Sequence, residues 1–133
     1  MNAVSTPARR PVARRSRYSR HLLGAALMIL LGAFLPWVST ALGNVAGVQG
    51  AGIWTMYAAM LGVAGAILRS PRWAAGHAAV MGAVAVALSL WQVLHLVGLV
   101  GFSGWMPGPG LVLTVGGGVL ALVAATGLLR EAR

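Results

Sequence analysis

The hydrophobic residues of this chain run in long blocks instead of alternating with polar ones. Two blocks carry no charged side chain, one from His21 to Leu68 and the other from Trp73 to Leu129. One membrane-spanning helix needs about 20 apolar residues, so each block has room for two helices and a connection. The period-two alternation of a membrane-spanning strand is missing. The pattern therefore predicts four helices.

Polar and glycine-rich stretches divide each block. The first break is Ser39–Gly50, and the second is Gly101–Pro109, where two prolines remove backbone donors. The predicted fold is all-α, a four-transmembrane-helix bundle over residues 21–130. Its spans are expected at about 21–38, 52–69, 73–100 and 110–129. Helices two and four both begin after glycines and end at an arginine, which is compatible with two like-oriented helical hairpins.

Composition changes the picture by excluding a water-soluble domain. Of the 133 residues 59% are hydrophobic and only 8% are charged, whereas soluble domains carry about 25% charged residues. The chain has no cysteine, so disulfides, cysteine metal sites and thiol nucleophiles are excluded.

The arginines give the predicted orientation. All of them fall in the N-terminal tail, the turn between helices two and three, and the C-terminal end, which share one side of a four-span chain. Because cytoplasmic segments are enriched in arginine, both termini are predicted to face the cytoplasm. We expect a bacterial cytoplasmic membrane protein with a disordered tail over residues 1–20 and a cytoplasmic end at 131–133. The residues assigned to topology and to the membrane surface are Arg9, Arg10, Arg14, Arg15, Arg17, Arg20, Arg69, Arg72, Arg130 and Arg133.

The lipid bilayer, and anionic lipids in particular, are the partners that this charge distribution predicts. The formal net charge is +9, but the basic residues are not spread over a folded face, so no nucleic acid is expected.

A cleaved signal peptide is the alternative for the first span. A basic start, the apolar run Leu22–Leu35 and the small residues Ser39 and Ala41 fit that pattern. Three spans would then remain, in the same orientation.

Small residues recur at helical spacing in every predicted helix. In lipid, close backbone approach through such residues drives helix association. The third helix carries Ala75, Ala79, Ala83 and Ala87 at successive i+4 positions, and Gly62 and Gly118 belong to similar rows in the second and fourth. We expect these residues to pack helices together, within one chain or between copies.

Ionisable side chains inside a span are functional candidates because burying them is costly. No Asp, Glu, Lys or Arg lies inside a predicted span. In size and helix count the chain resembles the small multidrug resistance transporters, but their membrane-embedded glutamate has no counterpart between His21 and Trp37. Trp91, Gln92 and His95 form the most polar patch and are expected to make a hydrogen-bonded cluster between helices.

Two other uses of polar residues stay open. Gln92, His95, Thr55 and Thr114 are candidate lining residues of a small pore, carrier or holin-like protein for a neutral or apolar solute. His21 and His77, at the same end of helices one and three, are conceivable haem ligands. The sequence Gly101-Phe102-Ser103-Gly104 matches the G-x-S-G pattern of rhomboid proteases, but no histidine follows it to act as base.

The arginine tail, the first span ending in Leu35-Pro36-Trp37, the glycine-rich loop and Gly50-Ala51-Gly52 resemble uncharacterised small four-helix integral membrane proteins of high-GC actinobacteria. The resemblance implies the fold and no activity. Because small-residue rows occur in every helix without a set of catalytic groups, we expect a non-enzymatic protein without metal or cofactor. The expected role is that of an accessory or assembly subunit, or of a homo-oligomer, that acts through helix contacts with other membrane-protein subunits or with itself.

Overall fold

The structure, a computed structural model, describes residues 16–133, and 76% of these are helical. The prediction of a mostly helical chain is confirmed over this range. The four predicted tail residues Arg9, Arg10, Arg14 and Arg15 lie outside the described residues. The helices are α1 (Arg17–Phe34), α2 (Gly52–Ile67), α3 (Pro71–Val100) and α4 (Pro109–Glu131).

Helix α1 lies about four residues earlier in the chain than the sequence pattern predicts. It begins at Arg17, where the Ser16 side chain accepts a hydrogen bond from the backbone N–H of Tyr18. Residues 17–20, predicted to belong to a disordered tail, are thus helical. The helix ends at Phe34 instead of continuing to 38, because a residue that precedes proline is disfavoured in the helical conformation. Leu35, before Pro36, is extended with φ −78° and ψ 162°.

Both segments predicted as loops contribute strands to one small sheet. The strands are β1 (Pro36–Thr40), β2 (Gly43–Ala46) and β3 (Trp105–Pro107), and they pair antiparallel in the order β2-β1-β3. Gly43, at φ 136°, closes the tight β1–β2 connection, and the Thr40 hydroxyl donates to its carbonyl over 2.9 Å. Strands this short give too few positions for an alternating pattern, so the prediction missed them.

The helices form a ring in which each packs against two neighbours. Helix α1 contacts α2 and α4, and α3 contacts the same two helices from the opposite side. The hairpins α1–α2 and α3–α4 both turn at the sheet. The opposite end holds the start of α1, the α2–α3 turn and the end of α4, which together carry every arginine of residues 16–133. We call these the cap end and the arginine end.

Helix α3 is longer than its neighbours and extends into the cap. Gly62 of α2 lies against Met81 and Gly118 of α4 lies against Gly82, which sets the register of the antiparallel helices. By this register, Trp91 lies level with the first turns of α2 and α4. The remaining residues of α3 run beside the sheet, where Val93 and Leu96 pack on its apolar side.

Two of the helices, α3 and α4, are long and apolar enough to cross a membrane. Helix α2 is apolar but has only 16 residues, and α1 includes Arg17 and Arg20 in its first turns. By length and composition alone, the residues 16–133 therefore give two candidate spans instead of the predicted four.

Candidate functional site

The backbones at the end of α1 and the start of α4 approach each other closely. A Cβ atom built on Gly110 would lie 2.5 Å from the Gly32 carbonyl oxygen and 2.6 Å from that of Leu35. A Cβ on Gly32 would lie 2.5 Å from the Thr114 hydroxyl and 2.8 Å from the Gly110 carbonyl oxygen. The backbones touch at a separation that only glycine allows.

Similar contacts join the other neighbouring helices. Gly62 faces the Met81 side chain between α2 and α3, and Gly118 faces the backbone of Gly82 between α4 and α3. These are the two glycines singled out by sequence, and the structure places both inside the chain's own bundle. Gly117 packs against Ile29 in the α1–α4 contact.

Most of the alanine row of α3 does not pack within the chain, which leaves packing between copies as the prediction for it. Ala75 is buried, but Ala79, Ala83 and Ala87 are exposed on the outside of the bundle. The inward face of α3 is the neighbouring row, which comprises Ala74, Ala78, Met81, Gly82, Ala85 and Ser89. Because α3 is apolar on all sides, small residue size does not distinguish its inner face from its outer face.

The exterior carries the large apolar side chains, and the interior is filled mainly by small ones. In a water-soluble protein this distribution is reversed, and large contiguous apolar patches are rare on the surface. Every helix takes part. Examples that are at least half exposed are Leu31, Phe34, Trp54, Met60, Ile67, Trp73, Val80, Leu94, Val112 and Val123.

Exposed tryptophans mark two levels along α3. Trp73 and Trp91 are 70% and 53% exposed, and their positions differ by about 27 Å at about 1.5 Å per helical residue. On α2, the exposed Trp54 lies at the cap level beside Tyr57, with ring centroids 6.1 Å apart. Tryptophan and tyrosine are enriched at both interfaces of a bilayer, whose hydrocarbon core is about 30 Å thick.

Trp91 and His95 are in contact, but not between helices. Their rings stack with centroids 5.0 Å apart and planes inclined by 11°. Both residues are exposed, and Gln92 is half-buried. The structure therefore brings together two of the three residues of the predicted polar cluster, and it places them on the outer surface of α3 at the cap level.

The hydroxyls of the two buried threonines are bonded within their own helices. Thr55 donates to the Gly52 carbonyl over 2.7 Å, and Thr114 donates to the Gly110 carbonyl over 2.8 Å. Both threonines are fully buried, whereas His95 is exposed, so the four residues considered for a pore do not line a common path in one chain.

The buried Ser89 differs from these two threonines. Its Oγ is buried and has no hydrogen-bond partner among residues 16–133. Sequence reasoning did not single out this residue, because a serine in an apolar run is unremarkable until the structure shows that it points inward.

The two candidate haem ligands lie on diagonal helices of the ring. His77 hydrogen-bonds through Nδ1 to the Trp73 carbonyl over 2.8 Å. His21 is exposed and touches the Tyr18 ring edge-on. Within residues 16–133 no group of three or more His, Asp or Glu residues is arranged to hold a metal ion. Ser103 is exposed in the α3–β3 connection.

The six arginines within residues 16–133 are all exposed at the arginine end. They are Arg17, Arg20, Arg69, Arg72, Arg130 and Arg133. The only acidic residue of the whole chain, Glu131, lies at the same end. Arg17 lies over the Tyr18 ring, 4.9 Å from its centroid, and donates to the Tyr18 hydroxyl. The surface of the bundle thus has a cationic end, an apolar middle bounded by tryptophans, and an uncharged cap.

Comparison with protein-family models, with curated proteins and with solved structures finds no match to this chain.

Proposed function

We propose that this protein is a four-span integral membrane protein with both termini in the cytoplasm and the cap on the opposite side. The exterior carries this proposal, because it is apolar around all four helices and not only around α3 and α4. On α1, Leu23, Leu27, Leu31 and Phe34 form one exposed stripe. In water such a surface would promote aggregation, whereas in lipid it is the expected exterior.

The shortness of α2 is compatible with a span. Sixteen residues cover about 24 Å, somewhat less than the hydrocarbon thickness. Bilayers adapt to short helices by local thinning at a cost of a fraction of a kcal/mol per Å. Arg69, just beyond the helix, extends its charged group toward the headgroups while its stem remains among apolar groups.

The orientation follows from the arginine end. Retaining arginine-rich segments in the cytoplasm places that end inside. The cap then lies outside the hydrocarbon core, as it must, since unpaired edges of an open sheet do not occur exposed to lipid. The position of the sheet supports the placement of the helices across the bilayer, and the arginine distribution supports the orientation.

The cysteine-free sequence allows a direct test of this topology. We expect Ser103→Cys, in the α3–β3 connection, to react with a membrane-impermeant maleimide on intact cells. Ser70→Cys, in the α2–α3 turn, should react only after the cells are permeabilised. Both serines are exposed, so accessibility in the folded chain is matched. Labelling of Ser70→Cys in intact cells, or release of the protein by alkaline carbonate, would contradict the proposal.

Within the membrane we propose a non-enzymatic role that depends on helix contacts with another membrane-protein subunit or a second copy. The exposed row Ala79, Ala83 and Ala87 supports this role. Small residues on a lipid-facing surface allow another helix to approach closely. Side chains that fill one chain's interior, such as Leu22, Ile29 and Met81, leave little room for a channel through a single copy.

Cysteine cross-linking tests whether α3 is a contact surface. We expect Ala83→Cys in native membranes to form a covalent dimer with a short bismaleimide if copies pair along this row. Val119→Cys, half exposed on α4, is the control at a large apolar position and should stay monomeric. Native mass spectrometry of the unmodified protein supplies a second readout. A strictly monomeric protein, with no cross-link and no co-purifying subunit, would contradict the proposed role.

A further inference from the structure

A groove of about 260 Å³ opens between α1 and α2 at the arginine end. It has polar groups at one end and apolar walls toward the middle of the bundle. The residues that line it are Ser19, Arg20, Leu23, Val63, Ala66 and Ile67.

The order of these residues along the helices gives the groove a direction. Ser19 and Arg20 lie in the first turn of α1, and Leu23 follows one turn deeper. On the facing helix, Ile67 is the last residue of α2, and Val63 lies one turn deeper. Polarity therefore decreases from the arginine end toward the bilayer centre, as it does along a phospholipid from its phosphate to its acyl chains.

Charge favours an anionic occupant at the polar end. Arg20 is exposed, and the chain's only acidic residue, Glu131, lies at the end of a different helix. The first turn of α1 adds the partial positive charge of a helix N-terminus. Ser19, which carries a hydroxyl group, is nine-tenths buried and lines the groove beside Arg20. Guanidinium and hydroxyl donors together are suited to phosphate oxygens.

We propose that this groove binds one anionic phospholipid, with its phosphate at Arg20 and Ser19 and an acyl chain between Leu23 and Val63. The inference rests on the proposed membrane location. It goes further by assigning a discrete site to a headgroup charge and an acyl chain, in contrast to a general attraction of arginines to the surface.

The test is native mass spectrometry of the full chain, released from mixed micelles that contain equal amounts of phosphatidylglycerol and phosphatidylcholine. We expect one retained phosphatidylglycerol per chain. Arg20→Gln should lower its retention about tenfold through loss of a charge-assisted bond. Arg72→Gln removes the same charge at the same end outside the groove and should retain the lipid. Equal losses in both variants, or no preference in the unmodified chain, would overturn the site.

A second pair of variants tests the acyl chain. Val63→Phe narrows the groove and should reduce retention, whereas Val119→Phe enlarges an exposed side chain on α4 and should not. Excess glycerol 3-phosphate, a headgroup without tails, should not displace the lipid. Displacement by it, or full retention in Val63→Phe, would contradict the acyl-chain contact. The maleimide labelling of Ser70→Cys and Ser103→Cys tests the membrane topology separately. If that labelling gives the expected pattern but the chain shows no preference for phosphatidylglycerol, this site alone is overturned and the membrane proposal stands.

Discussion

Replacing Gly110 with alanine is expected to destabilise the bundle by about 3 kcal/mol, the cost of a buried overpacking substitution. The added methyl group would overlap the carbonyl oxygens of Gly32, in α1, and of Leu35, directly after the end of α1. Both are backbone atoms and have no rotamer to change. That backbone is also fixed from the other side. The Gly32 carbonyl accepts a bond from the Trp37 indole N–H over 2.9 Å. A thermal melt of the purified protein should show a Tm lower by about 10 °C.

Gly24→Ala is the matched control for this substitution. Gly24 also lies in α1, but a Cβ atom there would meet nothing within 4 Å. Alanine in an unobstructed helical position should raise stability by about 0.5–1 kcal/mol because it restricts the unfolded backbone. The two variants should therefore shift Tm in opposite directions. A rise in Tm with both substitutions would show that α1 and α4 do not approach as closely as the structure describes.

The sequence predicts three of the four helices well because uncharged blocks bounded by arginines mark where they lie. The starts and ends of α2, α3 and α4 lie within two residues of the predicted spans. The end of α1 could have been predicted more accurately from Pro36, because proline disfavours the helical conformation of the residue before it and this effect can be inferred from the sequence alone. On the cap side, the bounds of α2, α3 and α4 agree with the prediction within one residue, and only the end of α1 differs by four. The charge pattern did not indicate the strands between these helices, because those segments are uncharged like the helices beside them.

Two features of the candidate sites depended on tertiary structure. The inner face of α3 has no signature in a helix whose sides are all apolar. The sequence therefore did not show whether Ala79 and Ala83 pack within the chain or between copies, and the chain buries the row beside them. Similarly, the groove combines α1 residues with α2 residues that follow at least forty positions later. No local spacing reveals that Arg20 and Val63 share one surface.

Trp37 shows best how pairing of the strands changes the role of a residue. In the sequence it lies near the end of the first predicted span, 21–38, where tryptophan is enriched at the membrane interface. In the structure it is only 2% exposed and forms the centre of the cap with Val38 and Leu111. Its carbonyl accepts a bond from the Gly108 N–H over 2.7 Å, so its backbone also ties β1 to the start of α4.

We therefore expect Trp37→Ala to have the larger effect of the two central predictions, a loss of about 3–5 kcal/mol, because it leaves a cavity under the sheet. The hydrogen bond from the indole N–H to the Gly32 carbonyl is lost as well. The backbone N–H of Gly47, which donates to the Leu35 carbonyl near the indole, should then exchange its hydrogen with solvent faster. Trp54→Ala removes the same side chain from a position that is 63% exposed at the same level and should change stability by less than about 1 kcal/mol. Thermal melts of both variants, with amide exchange of the cap, separate the outcomes. Equal losses would mean that Trp37 contacts lipid as Trp54 does, and that the sheet does not close over it.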